Sequence, residues 1–326
     1  MKTEKKELAV VLGATGALGS TIVKQLAGKN LNVRAVARDL DLANKLFKGL
    51  PIEIEKADIT STEQTLKVVE GATTIYHCIG LPYNKWLKLF PKIQKNIILA
   101  TEQTDSLLVY ADNLYMYSPV NGEKIDESCS QKPSSKKGQL RKILADELLE
   151  AHNNGKIKVT IVRMGDFYGP NVVNGFTKPL FLNALEQKPS SWIGNLDQQH
   201  SLIYIEDAAK GMIEAGTNPS FVGKIWHVEG AEAVSGQEFI EMINHALNQP
   251  PKYKVLKRGV ITLLSPIVPI VKELKELLPQ WEQPFVIDGS KFRKTTGLNG
   301  FTNHKEAIST TLKWFQSQSS DKKEIV

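Results

Sequence analysis

An α/β fold, with a doubly wound parallel sheet followed by a smaller C-terminal lobe, is what this 326-residue sequence predicts. Three observations carry that expectation. Short β-branched runs alternate with amphipathic helical stretches through the first half. The strand-like runs are apolar throughout, as strands covered on both faces must be. A glycine-rich turn, Gly13-Ala-Thr-Gly16-Ala-Leu-Gly19, joins the first strand to the first helix, where such folds receive a phosphate.

Taken in order, 8–12 reads as a strand, 17–27 as a helix and 32–37 as a strand. Helix 41–46, strand 52–55 and helix 63–70 follow, then strand 73–79, helix 86–104 and strand 107–111. A helix over 140–151 places Leu140, Leu144 and Leu148 on one face with Ile143 beside them. After Gly155 comes a strand at 158–162. Beyond Gly169-Pro170 the rhythm loosens. Helices are expected at 176–186 and 207–215, a strand at 225–228, and mixed, Pro-punctuated structure over 250–285. A last helix at 304–315 precedes a polar tail, 317–323, expected to fray. The expected division is a Rossmann-type dinucleotide-binding domain at 1–170 and a smaller substrate-binding lobe at 171–326. Some elements of that lobe would return to the sheet.

Composition narrows the function classes. With 41% hydrophobic and 23% charged residues, 23 Gly and 15 Pro, the chain is neither disordered nor collagenous. Its net charge of +6 comes from scattered lysines and arginines, not the clustered stripe that nucleic acid needs; a small anionic ligand suffices. Two cysteines, Cys78 and Cys129, far apart and without ligand spacing, exclude a disulfide scaffold and a zinc site. The longest apolar run, 260–271, holds twelve residues and two prolines, against ~20 for a membrane span. A cytoplasmic protein with a small-molecule substrate, and neither nucleic acid nor membrane as partner, is the expectation.

The glycine turn lets the backbone approach a pyrophosphate, while the helix start offers N–H donors and partial positive charge. Gly13, Thr15, Gly16, Ala17, Leu18 and Gly19 are therefore candidate cofactor-binding residues. A tight packing turn is the plainer alternative. No Walker lysine follows, so this is not a P-loop. At the tip of the second strand an NAD site wants a carboxylate. This chain has Ala37 and then Arg38, whose guanidinium can pair with a 2′-phosphate. NADP is thus preferred, with NAD possible. Asp39 can cap the next helix, and Asp58 can reach the adenine amine or act as another cap.

At this point the chain resembles an extended or atypical short-chain dehydrogenase/reductase of the NAD-dependent epimerase/dehydratase family. The resemblance rests on the glycine loop, Lys56-Ala-Asp58-Ile, Ile75-Tyr-His-Cys-Ile-Gly80, Arg163-Met-Gly-Asp-Phe-Tyr-Gly-Pro170 and His200-Ser-Leu-Ile-Tyr-Ile-Glu-Asp207. It implies that Cys78, Ile79 and Gly80 line the nicotinamide ribose, and that the segment holding Met164 walls the nicotinamide pocket. It also implies that helices 86–104 and 140–151 pair across a possible homodimer.

The same resemblance implies a Tyr-xxx-Lys pair on the helix near Leu140, in which the lysine lowers the tyrosine pKa for proton transfer. No tyrosine lies between Ser118 and Phe167. Arg141 or Lys142 can supply the cation, but the phenol is gone, and the lone Tyr253–Lys257 match lies in the other lobe. Asn113 falls where the family has Ser; it can hydrogen-bond but not shuttle a proton. Tyr115 and Tyr117 are the substitute acids, unless they pack in the core. His77 reads as a packing residue, Asp166 as a substrate-orienting or turn-stabilising group, and Asp207 as a helix cap. His200 and Arg163 either touch an anionic substrate or are solvated. The 260–271 run is a packed helix pair, a lid or a partner contact. The first functional reading is an epimerase/dehydratase-like oxidoreductase on a small carbonyl, hydroxyl or sugar-type substrate. The second is a non-catalytic NADP-binding redox sensor.

Overall fold

Strand and helix alternate from the start of the computed structural model, which describes residues 7–118, 122–298 and 300–321. The order opens β1 (Leu8–Leu12), α1 (Ala17–Gly28), β2 (Asn32–Ala37), α2 (Leu40–Leu46), β3 (Glu53–Lys56) and α3 (Thr62–Val68). It continues β4 (Thr74–His77), α4 (Trp86–Thr104), β5 (Leu107–Asp112), α5 (Lys136–Asn153), β6 (Lys158–Met164) and β7 (Asp166–Tyr168). Then come α6 (Thr177–Leu185), β8 (Ser190–Ile193), β9 (Gln199–His200), β10 (Leu202–Tyr204), α7 (Ile205–Thr217), β11 (Ile225–Val228) and β12 (Val234–Ser235). The chain closes with α8 (Gly236–Ala246), β13 (Tyr253–Leu256), α9 (Arg258–Leu264), α10 (Pro269–Lys275), α11 (Leu278–Trp281), α12 (Ser290–Thr296) and α13 (His304–Asp321).

Seven strands form the main sheet in the order β11-β6-β5-β4-β1-β2-β3, parallel from β3 through β6. The strand order reverses at β1, which pairs with β2 on one side and β4 on the other. A ligand crevice opens outside the C-terminal strand ends at such a switch point. The sheet is the Rossmann-type α/β fold that the alternation predicts. Two compact units divide the chain, and neither is one continuous stretch. The first comprises Met1–Asn113, Gln139–Arg163 and Ala209–Trp226; the second comprises Leu114–Gly138, Met164–Ala208 and His227–Val326.

In the first unit, Val10, Leu12, Val36, Ile75, Leu108 and Ile161 from the strands pack with Ile93 and Ile97 of α4 and Leu148 of α5. Leu140, Leu144 and Leu148 are buried as one stripe, whereas Ile143 is 53% exposed. One helical residue before Leu144 points about 100° away from it, off the core. The second unit is built from shorter pieces: parallel pairs β7–β10 and β8–β13, and the antiparallel pair β9–β12. Leu114, Met116, Tyr117, Ile125, Phe285 and Ile287 form one of its cores.

Two boundaries depart from expectation for identifiable reasons. Helix α5 begins at Lys136, four residues early. The Ser135 hydroxyl accepts from Gly138 N–H at 2.9 Å and Glu276 accepts from Lys136 N–H at 2.9 Å, so two first-turn donors are satisfied. Helix α13 continues to Asp321 through most of the tail expected to fray, after burying Leu312 and stacking Phe315 on Phe181. The N-terminal 1–6 and the end of that tail lie outside the described residues.

Candidate functional site

The turn after β1 is shaped by Gly13 and Gly19, where a side chain would collide with neighbouring backbone. Gly13 has φ +81°, and a Cβ there would lie 2.9 Å from the Cys78 carbonyl oxygen. At Gly19, on the first turn of α1, a Cβ would come within 2.3 Å of the Gly13 oxygen. Strand, loop and helix are therefore pressed together. Gly16 N–H donates to Gly13 O at 3.1 Å, and Ala14 N–H ties the loop to Val36 O at 3.1 Å. Gly16 itself is the N-cap of α1 and contributes no side-chain acceptor. The amides of Ala17, Leu18 and Gly19 thus start a helix with no capping side chain, which is where an anion binds. Leu18 is buried, so its contribution is backbone, as is that of Ala17 and Gly19.

Beside this turn lies a cleft of about 560 Å³, lined entirely by the first unit. Gly13, Thr15, Gly16, Arg38, Asp58, Cys78, Ile79 and Gly80 all face it, together with Ala37, Asp39 and Leu81. Eight of the twelve residues expected from sequence to hold a cofactor come together here. Arg38 is exposed at the tip of β2. Asp39 caps α2, accepting from Leu42 N–H at 3.0 Å. Asp58 does not cap α3, since that position belongs to Ser61. Its carboxylate instead accepts from Thr60 N–H at 2.9 Å, and this bond, with help from Arg38, holds it below the ordinary carboxylate range. The Cys78 thiol is pushed up by burial, so it is no nucleophile.

Met164, the twelfth expected cofactor residue, is buried at the end of β6 and belongs to the second unit, outside the cleft lining. His77 packs, as its strand position suggests: it stacks on Tyr110 at 4.6 Å, and burial drives its pKa down to about 3. Its Nδ1 finds no hydrogen-bond partner among the described residues.

The region where the resemblance implies proton-transfer machinery is occupied by other interactions. Asn113 follows β5, half-buried, its N–H donating to Asp112 Oδ1 at 2.9 Å. Asp112 accepts from Arg141 Nε at 2.7 Å and from Arg163 Nε at 3.0 Å, and all three side chains are buried. Arg141 also donates to Ala111 O and lies over the rings of Phe90, Tyr110 and Trp86. Both solvated and substrate-touching readings of Arg163 are thereby corrected, and Arg141 is not a cation waiting for a phenol. Lys142 pairs with Asp146 on the exposed face of α5.

Within the second unit, Tyr117 is a core residue and not an available acid. Its hydroxyl donates to His227 Nε2 at 2.9 Å, while His227 Nδ1–H donates to Ile125 O at 3.1 Å. Tyr115 remains half-buried. Lys137 is buried and ion-paired to both Glu273 and Glu276. The residue after it, Gly138, sits so close that a Cβ would be 2.2 Å from Tyr115 O. Asp166 in β7 is half-buried, and burial raises its pKa to about 6. His200 is buried and stacked on Trp281 at 4.7 Å, with its pKa lowered to about 4 by burial; it is not a solvated contact. Asp207 lies inside the first turn of α7 and accepts from Thr302 N–H at 2.8 Å, tying down a loop instead of capping the helix. Tyr253 donates to Glu241 from a strand, and Lys257 begins the following helix, so the lone Tyr-xxx-Lys match shares no helix face.

The pairing of Lys137 with Glu273 and Glu276 has no local signal in the sequence. Ser135 followed by Lys136-Lys137-Gly138 carried a helix-start signal, but nothing local announced Glu276 as the partner.

The family model for the NAD dependent epimerase/dehydratase family matches residues 9–228. A Bacillus subtilis protein described as an uncharacterized UDP-glucose epimerase is 25% identical over 255 residues, covering 72% of this chain and 80% of that one. Among solved structures, UDP-glucuronic acid 4-epimerase from Bacillus cereus, in complex with NAD, superposes with a TM-score of 0.79 at 17% identity. It covers 95% of this chain and 99% of its own. The dTDP-glucose 4,6-dehydratase from Bacillus anthracis, also with NAD, gives 0.80 at 13% identity over 96% and 98%. At such identities the structural likeness is one of fold.

Proposed function

This chain belongs to the NAD dependent epimerase/dehydratase family, and from that premise we propose that its first unit binds a nicotinamide dinucleotide, NADP in preference to NAD, and that the protein is an oxidoreductase acting on a small carbonyl, hydroxyl or sugar-type substrate. The observation that carries the reading is the cleft beside an uncapped helix start, where Gly13 and Gly19 let strand, loop and helix approach more closely than any side chain would allow. Gly13, Thr15 and Gly16 with the first-turn amides of α1 would hold the pyrophosphate. Asp58 would meet the adenine, Cys78 to Gly80 the nicotinamide ribose, and Arg38 the 2′-phosphate. The bound dinucleotide supplies hydride acceptance or donation.

Arg38 supports the NADP preference because it is exposed at the cleft and the strand tip beside it is Ala37. The 1–170 stretch then supplies most of the dinucleotide unit, and residues beyond 170 most of the substrate lobe. Proton movement falls to a group other than the usual phenol. Tyr115, half-buried, and Asp166, with a carboxyl poised near pH 6, are the candidates of the second unit. Asn113 would orient a carbonyl without moving a proton.

A second reading, a redox sensor without turnover, is favoured by the commitment of Arg141 to Asp112 and of Lys137 to two glutamates. One set of measurements separates the readings. Fluorescence titration with NADPH and NADH should show saturable binding with NADPH tighter; tighter NADH removes the Arg38 argument. Oxidation of NADPH by a panel of small aldehydes, ketones and nucleotide sugars supports the enzyme. Tight binding with no turnover across the panel, and with Asp166→Asn and Tyr115→Phe indistinguishable from wild type, supports the sensor.

A further inference from the structure

Helix α9 is anchored by Ile261 within it and Ser265 at its C-cap, both buried, the Ser265 hydroxyl donating to Thr262 O at 3.0 Å. That anchoring turns Val260, Leu263 and the following Ile267 outward, with 44%, 75% and 79% of their surfaces exposed. No other large apolar side chains among the described residues are as exposed as Leu263 and Ile267. Helix α10, packed on α9, sorts its charges in the opposite sense. Glu273 and Glu276 turn inward to Lys137, leaving Lys272 and Lys275 exposed. Lys254 and Lys257, just before α9, are exposed as well. Arg258 is already matched by Glu282.

We propose that this face of the second unit, Val260, Leu263 and Ile267 flanked by Lys257, Lys272 and Lys275, docks on the surface of an anionic lipid bilayer. Aliphatic side chains enter the headgroup boundary while ammonium groups at the rim meet lipid phosphates, the arrangement that holds a helix in the interface plane. The acids that would be repelled by such a surface are those held by Lys137. With its neighbouring acids turned to Lys137 and its lysines exposed, this part of the chain carries positive charge that suits an anionic headgroup layer. The run is too short to span a membrane, and a surface contact needs no span. This inference stands apart from the dinucleotide reading, since none of these residues touches the cleft.

Co-sedimentation of the full chain with phosphatidylcholine vesicles, with and without phosphatidylserine, tests it. Binding should appear with phosphatidylserine, weaken as salt is raised, and fall at least about tenfold in the double variant Leu263→Glu/Ile267→Glu. The second double variant, Lys272→Glu/Lys275→Glu, should lose the phosphatidylserine dependence. Unchanged melting temperature and unchanged NADPH titration confirm that both variants are folded; if the apolar variant does not fold, the lysine variant and the salt series decide. Absence of binding to phosphatidylserine vesicles overturns the proposal, as does binding that neither variant lowers. A wild-type dimer that Leu263→Glu/Ile267→Glu dissolves, without vesicle binding, assigns the face to a second copy instead. Retention of an acidic protein without vesicle binding equally rejects the bilayer.

Discussion

Two buried ion clusters, one in each unit, are charge inverses of each other. In the first unit a single carboxylate, Asp112, lies between Arg141 and Arg163. In the second, a single ammonium, Lys137, lies between Glu273 and Glu276. Their solvation differs more than their composition. The side chains of Asp112 and Arg163 are fully sealed, whereas each glutamate keeps about a quarter of its surface in water. A sealed cluster depends on every member, because a lone charge left behind has no water to replace the lost partner; an open cluster can rehydrate. The first is therefore scaffold, fixing the ends of β5 and β6, and the second is an adaptable tether for α10.

The largest expected effect tests that contrast directly. Asp112→Ala strands two buried guanidinium groups and should lower stability by about 3–5 kcal/mol. Lys137→Met leaves carboxylates that can reach water and should cost about 1–2 kcal/mol. Urea melts of both variants would show it, and equal losses would remove the distinction between sealed and open clusters.

Next in size is the glycine turn. A Cβ at Gly16 meets only the Gly13 oxygen at 3.4 Å, and its φ of −70° suits any residue. Gly16→Val should thus fold normally and still weaken NADPH binding by at least about tenfold, by crowding the anion position. Undiminished affinity would take the turn out of the site.

One group in each unit, His77 and Asp166, titrates in the opposite sense to the other. His77, whose pKa falls from 6.5 to about 3 on folding, binds its proton more readily when unfolded. Its contribution to stability is complete above pH 6.5 and is lost as pH falls toward 3. Asp166, raised from 3.8 to about 6, holds its proton more tightly when folded, so stability falls as pH rises through that window. Each slope is at most about 1.4 kcal/mol per pH unit. Thermal melts across pH should therefore flatten at the acid side in His77→Phe, and Asp166→Asn should exceed wild type above pH 6. A wild-type profile unchanged by either variant would place the pH sensitivity elsewhere.

The smallest effect belongs to Arg38. An exposed guanidinium–phosphate pair contributes on the order of 1 kcal/mol, so Arg38→Ala should raise the NADPH Kd about fivefold and leave NADH unchanged. Parallel titrations check it.

How far the sequence could be read follows the range of the interactions. The strands β1, β2 and β11 and helix α4 have the boundaries expected, because apolar periodicity and turn residues are local signals. The short pairs β8–β13 and β9–β12 leave no local signal, being two to four residues long and held only by partners distant in the chain. Their neighbours in sequence make Tyr117 and His200 candidate site residues, yet their environments come from His227 and Trp281.

By itself the sequence determined the glycine turn, the strand feeding it and Arg38 at the next strand tip, since each depends on backbone freedom or side-chain type within a few residues. Only the tertiary structure decided what became of the charges near the start of α5. Arg141 meets an aspartate 29 residues earlier, and Lys137 meets glutamates 136 and 139 residues later. Burial makes a charge choose a partner, and no local pattern records which distant residue the fold will bring to it.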